Sequence, residues 1–139
     1  DFESLVRNYF EQYLGQFPAQ VFDKINENFI RCSFYELVSR YLSSCYTFAI
    51  EQNNPVGRSD FEMTGIPGTD YYTDDRVVEF KYYHAKEADR ILSLTEPLTE
   101  HVQQVKGYAE DTKKKFPNYN VRSYVVYICA NKGWKCWEV

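Results

Sequence analysis

The sequence predicts an α/β domain in which helices flank a central mixed β-sheet. The chain has 139 residues, of which 44% are hydrophobic and 18% aromatic, enough to fill the core of a folded domain. Apolar residues recur at helical spacing near the start and again in the second half, and β-branched and aromatic runs lie between and after these segments. We therefore expect one domain over residues 1–139.

Helices are predicted in the first third of the chain. Residues 2–16 place apolar side chains on one helical face, and a second helix is predicted from about Pro18. A third helix is predicted over residues 33–44. Ser33 suits its N-cap, and Glu36, three residues later, completes a capping box that explains Glu36 without any functional role.

Five strands are predicted after these helices. The first three form an antiparallel meander, and a later hairpin adds two more strands to the sheet. The predicted strands cover residues 46–51, 57–66, 76–83, 121–130 and 134–139. A polar loop runs from Pro67 to Asp75, just before the central strand.

Two helices are predicted between the meander and the hairpin. The pattern is helical over residues 84–116, with a break at Pro97. The lysine run 113–115 ends the longer helix, where cations complement the helix dipole. This structural interpretation of the lysines is preferred to a nucleic-acid patch, although the two are compatible.

Composition and charge exclude several classes of protein. No apolar run approaches the length of a membrane span, and no signal peptide opens the chain. The four cysteines lack zinc-site spacing, so we expect reduced thiols in a cytoplasmic protein. The chain opens at Asp1 without Met, so we expect a piece of a longer protein. The net charge of −4 argues against a broad grip on nucleic acid, although bound metal ions can neutralise phosphate locally.

The central predicted strand carries an acid and a base in an otherwise core-like segment. Glu79 and Lys81 are two residues apart and share a face, whereas Val78 and Phe80 point the other way. Burying both charges is costly unless they are paired, hydrogen-bonded or bound to a metal. One interpretation is an edge strand with a solvated second face, and the other is a functional site.

Asp60 favours the functional interpretation. It lies on the preceding predicted strand, on a face with Glu62, and would approach Glu79 if the two strands pair. Two carboxylates this close repel each other unless a cation lies between them, as in an Mg²⁺ site. Lys81 would stand beside the metal and orient or polarise an attacking water.

These residues resemble a known family. Asp60 followed by Glu79-Phe80-Lys81 is similar to the D…(D/E)xK signature of the PD-(D/E)XK nuclease superfamily. The run Gly57-Arg58-Ser59-Asp60 is similar to the GRxD-type start of the motif in bacterial members. Gln104 and Tyr108 are similar to the QxxxY motif on the helix after the catalytic strands in recombination-exonuclease-like and CRISPR-adaptation nucleases.

The resemblance covers residues 25–139 and leaves residues 1–24 as an N-terminal helical extension. It implies a restriction-endonuclease-like core and Mg²⁺- or Mn²⁺-dependent hydrolysis of phosphodiester bonds, with DNA as the favoured substrate. The chain also resembles nuclease domains that follow an AAA-like ATPase domain in bacterial proteins. This likeness implies an ATPase domain as a partner in the longer protein.

The resemblance implies a metal site with a neighbouring lysine. Asp60, Glu79 and the main-chain carbonyl of Phe80 would hold the metal. Lys81 would position the attacking water and support the developing negative charge.

The resemblance also implies a set of supporting residues. A glutamate on the helix before the sheet often assists the metal, and Glu36 is the first candidate here, with Glu27 as the second. Gln104 and Tyr108 would line the active site as catalytic and substrate-binding residues, and Arg58 would contact the substrate.

Two other hypotheses stay open from the sequence. The acidic net charge favours a non-catalytic module that keeps the nuclease-like fold to bind a partner or to regulate an ATPase domain. Alternatively, Glu79 and Lys81 belong to a salt-bridge network in a purely structural domain. Without the upstream motif, Gln104 and Tyr108 would be a glutamine at the edge of the core and a packed tyrosine.

Overall fold

In the described residues, five strands and four α-helices form where the sequence alternates or repeats its apolar residues. The computed structural model describes residues 1–50 and 61–139 of the chain. The helices are α1 (Phe2–Asn8), α2 (Glu27–Leu42), α3 (Ala85–Leu92) and α4 (Thr99–Lys115). The strands are β1 (Tyr46–Ile50), β2 (Phe61–Gly65), β3 (Asp74–Tyr83), β4 (Asn120–Cys129) and β5 (Gly133–Glu138).

The strands form one mixed sheet in the order β1-β2-β3-β4-β5. The first three pair antiparallel, as the predicted meander requires, and β4 and β5 form the predicted hairpin. The β3–β4 pair is parallel, because α3 and α4 form the crossover that returns the chain to the same end of the sheet. The predicted α/β fold with a mixed sheet flanked by helices is therefore confirmed.

Alternation along β3 divides its side chains between two cores. Val78 and Phe80 join a core with the N-terminal helical segments and α2. Val77 points the other way, into a core with α3 and α4. Because helices pack on both sides of the sheet, both faces of β3 are covered along the buried run from Val77 to Phe80.

The N-terminal segment is part of the first core. After α1 the chain continues through a π-helical turn and a 3₁₀ turn, so the helical stretch predicted for residues 2–16 is confirmed. Phe2 stacks on Tyr124 of β4 with ring centroids 4.4 Å apart, and Val6 and Tyr9 are fully buried. The helix predicted from Pro18 is instead a short 3₁₀ turn, Ala19–Asp23.

Helix α2 differs from the prediction because Ser33 lies inside it. The N-cap is Asn26, whose side chain accepts a hydrogen bond from the main-chain N–H of Phe29. The Ser33 hydroxyl donates to the Phe29 carbonyl at 2.7 Å and lies 2.6 Å from the Tyr9 hydroxyl. The predicted capping box is therefore wrong, since Ser33 lies in the second turn of a helix that begins at Glu27 and its hydroxyl bonds back onto the preceding turn.

A tight contact fixes the loop between β2 and β3. A β-carbon at Gly65 would lie 1.5 Å from the carbonyl oxygen of Tyr71, so the loop main chain lies directly on the end of β2. Only a residue without a side chain fits this approach. Of the predicted strand 57–66, the structure describes the part from Phe61 onward.

The state of the cysteines and the polarity of the helices were also determined. All four cysteines are free thiols, with Cys129 buried. In the described parts of the chain, every helix is too short or too polar to cross a membrane.

Candidate active site

Glu79 and Lys81 meet on the face of β3 that α3 and α4 cover. Glu79 is completely buried, and its Oε1 atom lies 3.3 Å from Nζ of Lys81, whose side chain is 25% exposed. Their predicted position on one face is confirmed. The interpretation of an edge strand with a solvated face is wrong, because β3 is hydrogen-bonded to β2 on one side and to β4 on the other.

Phe80 anchors the strand on the opposite face. Its ring is completely buried and packs against Phe34 and Phe61, with ring centroids 5.1 and 6.2 Å away. Because side chains alternate along a strand, this aromatic packing directs the two flanking residues, Glu79 and Lys81, to the other face.

Glu27 brings a second carboxylate to the lysine. It is the first residue of α2, and its Oε1 atom lies 3.4 Å from Nζ of Lys81. Two carboxylates, one completely buried and one at a helix start, therefore converge on a single ammonium group. Such an arrangement holds the ammonium in a defined position, since each carboxylate restricts the rotamers that the lysine can adopt.

The position of Glu36 does not support its predicted role at the metal. It lies nine residues after Glu27, about 13 Å further along the helix axis. Its side chain is 64% exposed and forms an ion pair of 2.8 Å with Arg40 on the next turn. Glu27, the second candidate, lies at Lys81 instead, because α2 begins at residue 27 and not at residue 33.

Two of the predicted site residues lie in the part of the chain that the structure leaves undescribed. These are Asp60 and Arg58. Their predicted roles, and the approach of Asp60 to Glu79, stay predictions.

Tyr108 contacts β2 from helix α4. Its hydroxyl donates to Oε1 of Glu62 at 2.5 Å. Burial and the neighbouring Glu62 carboxylate raise the pKa of the Tyr108 hydroxyl, so it keeps its proton at neutral pH. Gln104, one helical turn earlier, is exposed. The two residues thus differ, since Tyr108 ties α4 to the sheet and Gln104 faces solvent.

Asp75 forms a second carboxyl group beneath α4. It is completely buried, and the hydroxyl of Thr64 donates to its Oδ2 atom at 3.3 Å. Burial and a hydrogen bond with Glu62 raise the pKa of Asp75 to about 8. Asp75 therefore keeps its proton at neutral pH.

The sequence analysis did not find the Glu62–Asp75 pair. It assigned Asp75 to the polar loop, whereas β3 begins one residue earlier. The period of two that places Glu79 and Lys81 on one face extends back to residue 75, and this signal could have found the pair.

The two glutamates at Lys81 are of the type that binds hard divalent cations. Glu79 and Glu27 supply carboxylate oxygens, the ligands that Mg²⁺ and Mn²⁺ prefer. Within residues 1–50 and 61–139, no group of three or more His, Cys, Asp or Glu side chains is arranged to hold a metal. A complete site would therefore need further oxygens, such as a main-chain carbonyl or a side chain from residues 51–60.

Comparison with known protein families identifies the superfamily. The sequence model of the PD-(D/E)XK nuclease superfamily matches residues 25–138. The match begins two residues before Glu27 and includes Glu79, Lys81, Gln104 and Tyr108. No curated protein matches the chain significantly.

Proposed function

This chain belongs to the PD-(D/E)XK nuclease superfamily. On that premise we propose that it is a metal-dependent nuclease that hydrolyses phosphodiester bonds, with DNA as the proposed substrate. The observation that carries the proposal is the contact between the buried carboxylate of Glu79 and the ammonium of Lys81 on the central strand. A completely buried carboxylate paired with a partly exposed ammonium is costly to desolvate and contributes little to stability, so the pair supports a functional role.

The proposed metal ligands are oxygens on two neighbouring strands. Asp60, Glu79 and the main-chain carbonyl of Phe80 would hold Mg²⁺ or Mn²⁺, and Glu27 replaces Glu36 as the helix carboxylate beside them. Asp60 directly precedes Phe61, which pairs with Val78, so a strand continued by one residue would bring Asp60 opposite Glu79. Bound there, the cation would lower the pKa of a water ligand and stabilise charge on the phosphate.

Lys81 has the central role among the chain's own groups. Its ammonium would hydrogen-bond the attacking water and orient it toward phosphorus. The same positive charge would support the negative charge that develops on the phosphate oxygens. Glu79 and Glu27 prepare this role by holding Nζ between them.

The remaining residues would bind the substrate. Gln104 is exposed on α4 and would contact the nucleic-acid backbone, and Arg58 would pair with a phosphate. The hydrogen bond from Tyr108 to Glu62 fixes α4 against the sheet. Tyr108 would thereby set the position of Gln104.

The test is cleavage of a labelled DNA with Mg²⁺ or Mn²⁺. We expect Lys81→Ala and Glu79→Gln to lower the cleavage rate by about 100-fold or more, because each removes a group that acts on the transition state. Arg40→Ala is the matched control, since it breaks an exposed ion pair of 2.8 Å without touching β3. Wild-type cutting by folded Lys81→Ala protein would overturn the proposal.

A second candidate function is a non-catalytic module that binds a partner or regulates an attached ATPase domain. The net charge of −4 favours it, because the chain lacks the basic balance that is usual for binding nucleic acid. A folded wild-type protein that cuts neither DNA nor RNA at any Mg²⁺ or Mn²⁺ concentration would decide for this function. A cytoplasmic location is part of either proposal, and the four free thiols fit it.

A further inference from the structure

Three aromatic rings, two of them exposed and one half-buried, form a cluster at one end of the sheet. Tyr72, in the loop before β3, is 42% exposed, and Phe116, just after α4, is 47% exposed. Tyr119 lies between them, with its ring centroid 5.7 Å from that of Tyr72 and 5.5 Å from that of Phe116. We call these three residues the aromatic patch. Rings of this size are usually at least partly buried, so the exposure of Tyr72 and Phe116 on either side of Tyr119 indicates a binding surface.

Lysines adjoin the aromatic patch. Residues Lys113, Lys114 and Lys115 are the last three of α4, directly before Phe116, and all are exposed. Lys113 pairs with Glu110 at 3.2 Å, whereas Lys114 and Lys115 form no ion pair with any residue that the structure describes. The dipole of α4 offsets only about half of one of these charges.

Exposed rings beside free ammonium groups fit one kind of partner. Bases stack on aromatic side chains while lysines follow the phosphates, and this combination is typical of surfaces that bind single strands. A duplex hides the faces of its bases, so it would use the lysines alone. Building on the proposed nuclease function, we propose that the aromatic patch and Lys114–Lys115 bind unpaired nucleotides of the substrate.

The distance to the candidate active site sets the length of that substrate. Tyr119 precedes Asn120, where the β3–β4 pairing starts, and Glu79 is paired with Val125. The six residues of β4 between these levels span about 20 Å. This is about six steps of 3.4 Å along a stacked strand. A single strand extending about six nucleotides from the cleaved bond would therefore reach the aromatic patch.

The first experiment measures binding, with cleavage prevented by EDTA. The probe is fluorescein-labelled oligo-dT of 20 nucleotides, followed by fluorescence anisotropy. We expect Lys114→Glu/Phe116→Ala to raise its Kd at least tenfold and to flatten its salt dependence. Phe116→Leu keeps an apolar side chain but loses the ring, and it should also weaken binding.

Arg40→Glu/Tyr41→Ala is the matched control. It too replaces one cation and one exposed aromatic ring, but on α2, which packs on the opposite face of the sheet. The control should bind oligo-dT as the wild type does. An equal loss of affinity for oligo-dT in the control would overturn the proposal. So would a Lys114/Phe116 variant that loses as much affinity for a 20-base-pair duplex as for oligo-dT.

A second experiment varies the substrate length. One substrate extends three nucleotides from the scissile bond and is too short to reach the aromatic patch, and the other extends eight. The Lys114/Phe116 variant should cleave the shorter strand at the wild-type rate and should show a raised KM for the longer strand. An unchanged KM for the longer strand would contradict the proposal. If the wild type cleaves neither strand, the nuclease proposal fails, and the EDTA binding result alone decides whether the aromatic patch binds single strands.

Discussion

Asp75 is a carboxyl group without access to water on the sheet face beneath α4. Its pKa is raised to about 8 by burial and by its hydrogen bond with Glu62. Between about pH 4 and pH 8 the folded protein therefore keeps a proton that the unfolded chain has released. Over this range the free energy of unfolding falls as the pH rises, because deprotonation favours the unfolded chain.

Replacing Asp75 by Asn should remove this pH dependence. The amide is neutral at every pH and still donates to Glu62, so we expect Asp75→Asn to be more stable than the wild type at pH 8 by about 1 kcal/mol or more. The difference should shrink toward pH 5. Urea denaturation at pH 5, 6.5 and 8 measures it, with the exposed Asp111→Asn as the control. A wild type and an Asp75→Asn variant with parallel pH profiles would contradict the assignment.

Single residues differ in how far the sequence could place them. The shared face of Glu79 and Lys81 follows from a spacing of two in a strand whose apolar residues define its register. Asp75 could not be placed in the same way, because the end of a polar loop and the polar start of a strand have the same composition. Asp60 and Arg58 stay predictions from the sequence.

Helix α2 determines which glutamate stands near the candidate site. Its start at Glu27, set by the Asn26 cap, places that carboxylate 3.4 Å from Nζ of Lys81. Glu36 lies on an exposed part of the same helix and pairs with Arg40. Glu27 is therefore the candidate site residue on α2, and Glu36 on the same helix is its control.

Glu27→Gln and Glu36→Gln should separate these positions. We expect Glu27→Gln to lower the rate of metal-dependent cleavage about tenfold, because it frees Nζ of Lys81 on one side and removes a negative charge from the site. Glu36→Gln should cleave at the wild-type rate. Initial rates over a range of Mg²⁺ concentrations provide the measurement. A larger loss from Glu36→Gln would restore the original assignment.

The regular elements were predictable where periodicity was strong. Strands β3 and β4 and helix α4 were predicted within about two residues of their ends, since each has a long apolar pattern. The start of α2 was not, because Ser33 and Glu36 imitate a capping box. In the structure the Ser33 hydroxyl contacts the hydroxyl of Tyr9. Tyr9 is far away in the sequence, so local patterns could not reveal this contact.

The whole chain is acidic, with a net charge of −4, and such a chain attracts cations. If the completely buried Glu79 holds a divalent ion as proposed, the folded state gains stability from the ion. An ion that binds only the folded state raises the free energy of unfolding by about 2.7 kcal/mol at 100 times its Kd.

Thermal unfolding with and without Mg²⁺ should show this gain. We expect Mg²⁺ to raise the Tm of the wild type by several degrees. Glu79→Gln should lose the shift, because it lacks a proposed ligand, whereas Glu36→Gln should retain it. An equal shift in all three proteins would mean that Mg²⁺ binds elsewhere, and the proposed metal ligands would have to be abandoned.

The packing of Phe2 on Tyr124 bears on where this protein can be cut. The superfamily match starts at residue 25, yet Phe2, Val6 and Tyr9 fill the core on one side of the sheet. Removing residues 1–24 would leave α2 as the remaining cover on that side and would expose part of its aromatic core to water and to other molecules. A chain shortened to the matched residues should therefore be less stable and more prone to aggregate than the chain with residues 1–24.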